Sequence, residues 1–157
     1  TEVEPVTNCY NYLKNGAVQV FRRNGLSDES QAPLTDKPLK YLYEPNAAIM
    51  KSGAVNAIAH SFKLLKFHPN THLYTSNELH PDFPGRVFRV EDFLPFNKQN
   101  LEYLSTNYPK ANVSVRNFIL TAEEFRKKAK IKDGGDCYIF GLRSHINNSL
   151  IVICYKN

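Results

Sequence analysis

Basic side chains are concentrated in one short part of the 157-residue chain. Residues 110–132 hold seven of them against two glutamates, an excess of five that equals the net charge of the whole chain. In the rest of the chain, Lys and Arg balance Asp and Glu. A focused positive field attracts a phosphate backbone more strongly than a diffuse one, so this segment is a candidate nucleic-acid-binding site. Its basic residues are Lys110, Arg116, Arg126, Lys127, Lys128, Lys130 and Lys132.

The same segment also has a purely structural interpretation. Glu123 and Glu124 would begin a helix, and the basic residues from Arg126 to Lys130 would lie near its end. That order complements the helix dipole and needs no ligand. Both interpretations stay open at this point.

Further contacts with nucleic acid are conceivable at a few other side chains. Arg86 and Arg89 form a secondary basic pair, but their odd spacing places them on opposite faces of a regular strand, which counts against joint action. Tyr74, Tyr103 and Tyr108 are candidates for partly exposed rings on which unpaired bases could stack.

The histidines and aspartates give weaker indications of a metal site. His68 and His72 have the spacing of two zinc ligands on a helix, but Pro69 argues against a helix, and no Cys or carboxylate lies nearby at ligand spacing. Asp133 and Asp136 flank two glycines in a loop too short for an EF-hand. We therefore expect no metal site, and we expect the histidines to form hydrogen bonds within a loop.

The elements before residue 80 are a hairpin, two short helices and two strands. Residues 8–23 predict a β-hairpin with a type I′ turn at Asn15-Gly16, and residues 24–38 predict a loop. Residues 39–43 predict a strand. Pro45 then suits a first helical turn, and Gly53 can divide the helix. Residues 72–76 predict another strand. The apolar stripe of the helical region is Ala47, Met50, Ala54, Ile58, Phe62 and Leu65.

The second half of the chain alternates strands and helices. A capping box at Thr121 and Glu124 marks the clearest helix, over residues 121–130. The other predicted elements are strands at 85–94, 112–118, 137–143 and 150–155, a helix at 97–106 and a turn at 133–136. This order predicts an α+β fold, in which helices pack on one face of a mixed, largely antiparallel sheet.

The composition also indicates the cellular compartment in which the protein is expected. No apolar run is long enough to cross a bilayer, so no membrane association is expected. Cys9, Cys137 and Cys154 are odd in number and widely spaced, which is typical of reduced thiols in a cytoplasmic protein.

Several strings of the chain resemble the C-terminal THUMP-like domain of a group of bacterial S-adenosylmethionine-dependent methyltransferases, best represented in the Bacteroidetes. The strings are residues 42–48 (LYEPNAA), 68–76 (HPNTHLYTS), 82–90 (DFPGRVFRV), 110–118 (KANVSVRNF) and 132–136 (KDGGD).

The resemblance implies that substrate binding and catalysis lie in different domains of a larger protein. Residues 41–157 would be the THUMP-like, ferredoxin-like domain, and residues 1–40 a connector or the tail of a preceding catalytic domain. The catalytic domain would bind S-adenosylmethionine. This chain has no Gly-x-Gly turn for that ligand and is expected to be non-catalytic and cofactor-free. Its role would be to bind the RNA substrate of an RNA methyltransferase, with the methyltransferase domain as its partner in cis.

Two other interpretations remain. The chain could be a structural module that packs on the catalytic domain or on a second copy without touching nucleic acid. An independent metal-dependent enzyme built around His68 and His72 is the third.

Overall fold

The structure is a computed structural model that describes residues 6–24 and 30–157. A separate hairpin precedes a seven-stranded sheet and four helices. The strands are β1 (Val6–Tyr12), β2 (Val18–Asn24), β3 (Tyr41–Pro45), β4 (Leu65–His68), β5 (Thr71–Ser76), β6 (Gly85–Pro95), β7 (Lys110–Arg116), β8 (Lys132–Arg143) and β9 (Ser149–Lys156). The helices are α1 (Ala47–Ser52), α2 (Val55–Ser61), α3 (Lys98–Asn107) and α4 (Ala122–Lys128).

The large sheet has the strand order β4-β5-β3-β6-β9-β8-β7. Its neighbours pair in antiparallel fashion except β7 and β8, which are parallel and are connected through α4. The predicted α+β class with a largely antiparallel sheet is therefore confirmed. β7 is an edge strand, so the basic segment lies at one side of the sheet.

All four helices cover one face of this sheet. On β9, Ile151 and Ile153 point to the face where α3 and α4 pack, whereas Val152 and Cys154 point to the other face. Helices α1 and α2 pack on Tyr43 and on the same side of the sheet. Because successive side chains of a strand alternate, one face is helix-covered, and none of the helices in residues 6–24 and 30–157 lies on the opposite face.

The opposite face is nevertheless buried, because the sheet curls on itself. Its apolar cluster contains only strand residues, among them Phe67, Phe88 and Phe140, and none is more than 8% exposed. The two sides of the curl meet at a seam, where the Thr71 hydroxyl donates to the Arg143 carbonyl at 2.8 Å. We call the face inside the curl the concave face.

The N-terminal hairpin packs on the helix-covered side. Cys9 and Phe21 are buried there, and the Cys9 thiol donates to the Ser52 hydroxyl at 3.1 Å. The hairpin itself is as predicted, but the type I′ turn is wrong. That turn needs a positive φ at both central residues, and only Gly16 has one, at 87°. Of the predicted loop at 24–38, residues 25–29 lie outside the described residues.

Three local details differ from the sequence prediction. Pro45 ends β3 instead of starting a helix, because the Asn46 side chain caps α1 by accepting from the Ile49 amide at 3.0 Å. Ile49 is then the buried residue of α1, and Met50 is exposed. Leu65, the last member of the predicted helical stripe, begins β4.

Residues 133–136 are not a turn between elements but part of β8. The pairing of β7 with β8 shifts from Ala111–Asp133 to Asn112–Tyr138, so the segment forms a bulge within a continuous strand. Gly134 and Gly135 have φ values of 115° and 81°, in the region of backbone conformation that favours glycine.

Candidate nucleic-acid interface

Six of the seven predicted basic residues lie at the β7 side of the sheet, in a region that we call the basic edge. Lys110 and Lys132 are both exposed and are paired across the start of β7 and β8. The Lys110 side chain crosses the two bulge glycines, and a Cβ atom added to Gly134 would lie 3.1 Å from Lys110 Cε. The remaining members of the basic edge are Arg126, Lys127, Lys128 and Lys130.

Helix α4 presents its basic residues away from the core. Phe125 and Ala129 are buried, and Lys127 and Lys128 are exposed. The capping box that the sequence predicts is present, since the Thr121 hydroxyl accepts from the Glu124 amide and the Glu124 carboxylate accepts from the Thr121 amide, both at 3.1 Å. The hydrogen bond from the Thr121 amide stabilises the ionised carboxylate and holds the pKa of Glu124 below its usual value.

Acidic residues compensate the basic edge only in part. Lys127 Nζ lies 3.2 Å from Glu123 Oε1, but both side chains are largely exposed and such a pair is weak. Lys128 and Lys130 border a shallow cavity of about 250 Å³ together with Lys98 and Glu102.

Arg116 does not belong to the basic edge. It is the last residue of β7, six positions beyond Lys110, which corresponds to about 20 Å along a strand. Its terminal nitrogen donates to Glu44 Oε2 at 2.7 Å, and Glu44 lies on β3. The sequence prediction grouped Arg116 with the other six cations, but the structure places it at the other end of β7.

The secondary pair, Arg86 and Arg89, is divided between the two faces, as its spacing predicts. Arg86 lies on the concave face, where its guanidinium is 5.3 Å from the Phe88 ring centroid and 5.5 Å from that of Tyr138. Arg89 lies on the helix-covered face, 5.9 Å from the Tyr155 ring centroid. The two arginines therefore cannot contact one ligand group together.

Glu44 brings Arg86 and Arg116 together at one mouth of the curled sheet. Its Oε1 accepts from Arg86 Nε and its Oε2 accepts from Arg116, each at 2.7 Å. The Glu44 side chain is 11% exposed, and those of Arg86 and Arg116 are 39% and 35% exposed. The hydrogen bond to Glu44 raises the pKa of Arg86. We call these three residues the Glu44 cluster.

A cavity of about 530 Å³ opens beside the Glu44 cluster, between the N-terminal hairpin and α1. Its wall combines cations, amides and apolar groups. Besides the cluster, the residues that matter chemically are Lys51, the amides of Asn11, Gln19 and Asn46, and the apolar side chains of Leu13 and Met50.

The other candidate residues are placed as follows. His68 ends β4 and accepts from the Asn70 amide at 3.0 Å, as expected of a histidine in a turn. The prediction is wrong for His72, which lies on β5 and whose buried Nδ1 makes no hydrogen bond among the described residues. Burial lowers the pKa of His72. Tyr74 is fully buried, contrary to prediction, because it packs under α2. Tyr103 is exposed and Tyr108 is half-buried.

The described residues offer neither a metal-ion site nor a membrane-spanning helix. Residues 6–24 and 30–157 contain no group of three or more His, Cys, Asp or Glu side chains placed to hold a metal ion. Within the same residues, no helix has the length and apolar character needed to cross a membrane. All three cysteines are free and buried.

Glu44 is the site residue that sequence reasoning missed. It stands out weakly in the sequence, as a lone carboxylate after the apolar and aromatic residues 41–43. Its partner Arg116 is 72 positions away, and only the curl of the sheet brings the two together.

Comparison with known proteins gives one family match for each half of the sheet region. Residues 41–84 match a ferredoxin-like domain family, and residues 85–156 match a family described as THUMP domain-like. No curated protein matches the chain.

One solved structure is similar over nearly the whole chain, namely the crystal structure of a putative methyltransferase from Porphyromonas gingivalis W83. The two are 35% identical with a TM-score of 0.88, and the match covers 95% of this chain and 37% of the other. The chain thus spans little more than a third of that protein. Its residues 85–156 belong to the THUMP-like family, preceded at residues 41–84 by a ferredoxin-like domain.

Proposed function

We propose that this chain is the RNA-binding, non-catalytic part of a cytoplasmic S-adenosylmethionine-dependent RNA methyltransferase. The basic edge is the observation that carries the proposal, since it gathers six cations at one side of the sheet. The THUMP-like match and the similarity to part of a methyltransferase support it. The methyltransferase domain would be the partner in cis.

The basic edge suits contacts with a phosphate backbone. Lys is a compact point charge and Arg a planar fork, and both bind phosphate oxygens without reading the base. Such contacts position an RNA relative to a catalytic domain and leave sequence selection to other groups. Binding should then weaken steeply as salt concentration rises.

Charge reversal at the basic edge tests the proposal. The variant carries Glu at Arg126, Lys127, Lys128 and Lys130, and the matched control carries Glu at four exposed lysines elsewhere, Lys14, Lys37, Lys40 and Lys156. Both lose the same net charge. With a short fluorescein-labelled RNA hairpin as the probe, we expect fluorescence anisotropy to show at least about a tenfold affinity loss and a shallower salt dependence for the first variant only. Equal losses in both variants would refute the placement.

The chain alone should not bind the methyl donor. Its seven glycines contain no Gly-x-Gly turn, and its sheet has one parallel pair instead of the doubly wound arrangement that places a ligand at such a turn. Titration calorimetry with S-adenosylmethionine should show no heat of binding, and micromolar binding would contradict the non-catalytic assignment.

A structural role is the second candidate, and the N-terminal hairpin favours it. Tyr10, Tyr12, Val18 and Val20 are between 44% and 78% exposed and are paired across β1 and β2 on the face turned away from the helices. An apolar face of this kind is typical of a packing surface. Here it would contact the catalytic domain or a second copy.

Sedimentation velocity tests whether the hairpin face packs on a second copy of the chain. If two chains pack through the hairpin, the wild type sediments as a dimer, and the variant Tyr12→Lys with Val20→Lys sediments as a monomer. A monomeric wild type at high concentration would leave the catalytic domain as the remaining partner for this face.

A further inference from the structure

We propose that the cavity beside the Glu44 cluster binds one unpaired nucleotide, with its phosphate against the guanidinium groups of Arg86 and Arg116. This inference rests on the proposed RNA-binding function and adds a second, distinct contact to it. The basic edge would hold the backbone of a duplex, and this cavity would hold a single nucleotide outside a duplex.

The charge of the cavity wall favours an anion. Arg86, Arg116 and Lys51 contribute three positive charges, and Glu44 is the one acid on the wall that the described residues form. The Glu44 carboxylate engages one nitrogen of each arginine, and Arg116 also donates to the Val115 carbonyl at 2.8 Å. Among the described residues, neither terminal nitrogen of Arg86 makes a hydrogen bond, so both can donate to a ligand.

Arg86 is also held in place before any ligand binds. Glu44 fixes its Nε, and the rings of Phe88 and Tyr138 lie within 5.5 Å of its guanidinium carbon. A fixed guanidinium loses little side-chain entropy on binding, and its planar fork matches two oxygens of one phosphate. Glu44 therefore orients the phosphate-binding groups and does not simply neutralise them.

The rest of the cavity fits a nucleoside. Its volume of about 530 Å³ falls within the ordinary range of small-molecule sites. The amides of Asn11, Gln19 and Asn46 hold one another in place, because Gln19 Oε1 accepts from both asparagines at 3.1 Å and Asn46 Oδ1 caps α1. Among the described residues, Asn11 Oδ1 makes no hydrogen bond and each amide nitrogen keeps a second N–H, so the wall still offers an acceptor and donors to the edge of a base. Leu13 and Met50 supply apolar surface for the face of the base. A phosphate site alone would need none of these groups.

Nuclear magnetic resonance titration of the full chain tests the proposal with adenosine 5′-monophosphate, adenosine and inorganic phosphate as separate probes. We expect the monophosphate to shift the side-chain signals of Arg86 and Arg116 and to bind at least about tenfold more tightly than either other probe, since it alone engages both parts of the cavity. Equal affinity for inorganic phosphate, or no binding of the monophosphate, would overturn the proposal.

Two substitutions of exposed lysines test the site without disturbing the folded core. Lys51→Ala removes an exposed lysine of the cavity wall and should weaken monophosphate binding about tenfold. Lys98→Ala, on the first turn of α3, should leave it unchanged. Equal behaviour of the two variants would contradict the assignment.

The outcome is separable from that of the RNA proposal. Charge reversal at the basic edge should reduce affinity for the RNA hairpin and leave monophosphate binding intact. If the monophosphate fails to bind while the hairpin still binds at the basic edge, only the nucleotide site is refuted.

Discussion

Glu44 is the residue through which β3, β6 and β7 are connected at one mouth of the sheet. Its two oxygens each accept from a different arginine at 2.7 Å, and one of these arginines comes from the far edge strand. Removing the carboxylate leaves two guanidinium groups close together without their counter-charge. The arginines are more than a third exposed, so solvent screens part of the repulsion.

We therefore predict that Glu44→Gln lowers the free energy of unfolding by about 1–3 kcal/mol, as measured by urea denaturation. Glu123→Gln is the matched control, because Glu123 also pairs with a cation but lies on the exposed side of α4. That change should cost no more than about 0.5 kcal/mol. Equal costs would show that the Glu44 cluster does not stabilise the sheet.

Gly85 is the second residue on which this region depends. It pairs with Pro45 across β3 and β6, and an added Cβ would collide with the backbone carbonyl oxygen of Glu44. Backbone cannot rotate away as a side chain can. We predict that Gly85→Ala destabilises the protein by more than about 3 kcal/mol in urea denaturation.

Gly16→Ala provides the comparison for Gly85→Ala. Gly16 has a φ of 87° and nothing within 4 Å of an added Cβ, so only backbone strain opposes the change. The expected cost is about 1 kcal/mol. A smaller loss at Gly85 than at Gly16 would mean that the two strands separate easily at this point.

Residue types alone predicted part of the candidate site. The cations of the basic edge lie within one stretch of the sequence, residues 110–132, so its charge excess was sufficient to group them. Arg116 was assigned to the same group because it is near in sequence, yet its contact is with a residue 72 positions away. The Glu44 cluster depends on a contact between residues that are far apart in sequence, and no local sequence pattern indicates such a contact.

At the scale of elements, α4 shows how much a strong local signal can determine. Its capping box was readable from Thr121 and Glu124, and the helix starts where the box places it. The hydrogen bond from the Thr121 amide is the main reason why the pKa of Glu124 is lowered. A lowered pKa in the folded state means that the ionised carboxylate stabilises the fold.

We predict that the stability difference between the wild type and Glu124→Gln is largest at neutral pH and begins to shrink as pH falls through about 4.5, the ordinary value for the carboxyl group. It should disappear below the lowered pKa of the folded state, where the folded protein also takes up the proton. Urea denaturation over a pH series measures this. Glu102→Gln is the control, since the Glu102 side chain is exposed and makes no hydrogen bond among the described residues. A pH dependence of the same size in the control would argue against the capping carboxylate as its source.

Elements whose details depend on tertiary contacts were predicted less well. The hairpin β1–β2 was expected, but its turn was not, because Asn15-Gly16 is compatible with more than one loop. Asp133 to Asp136 has the composition of a turn. In the fold, however, pairing with β7 makes it a bulge inside β8, and the sequence of β8 alone does not show that β7 is its neighbour.

At the scale of the whole molecule, the decisive feature is the curl that buries the concave face without a helix. The sequence predicted helices on one face, and this is confirmed, but it gave no reason to expect the other face to be enclosed. The seam that closes the curl is made by Thr71, Asn117 and Arg143. Thr71 is fully buried, donates to the Arg143 carbonyl at 2.8 Å and accepts from Asn117 Nδ2 at 3.2 Å.

Removing the Thr71 hydroxyl group should show how much the seam contributes to stability. Thr71→Val keeps the shape of the side chain but leaves the Arg143 carbonyl and the Asn117 amide without this partner, so we predict a loss of about 1–3 kcal/mol in the free energy of unfolding. Thr106→Val is the control, because Thr106 is exposed on α3, and it should cost no more than about 0.5 kcal/mol.

Hydrogen exchange distinguishes between two effects of Thr71→Val, one confined to the neighbouring strands and one on the whole curl. If the seam holds the curl closed, backbone amides should exchange faster both in β5 and in β7, which belong to opposite sides of the sheet and approach each other at the seam. The central strand β6 should be affected least, because it is the fourth of the seven strands and lies farthest from the edges that meet at the seam. Faster exchange confined to β4 and β5 would show that Thr71 stabilises only its own hairpin and that the curl is held by other contacts. In that case the Glu44 cluster, at the other end of β7, would be the principal connection between the two sides of the sheet.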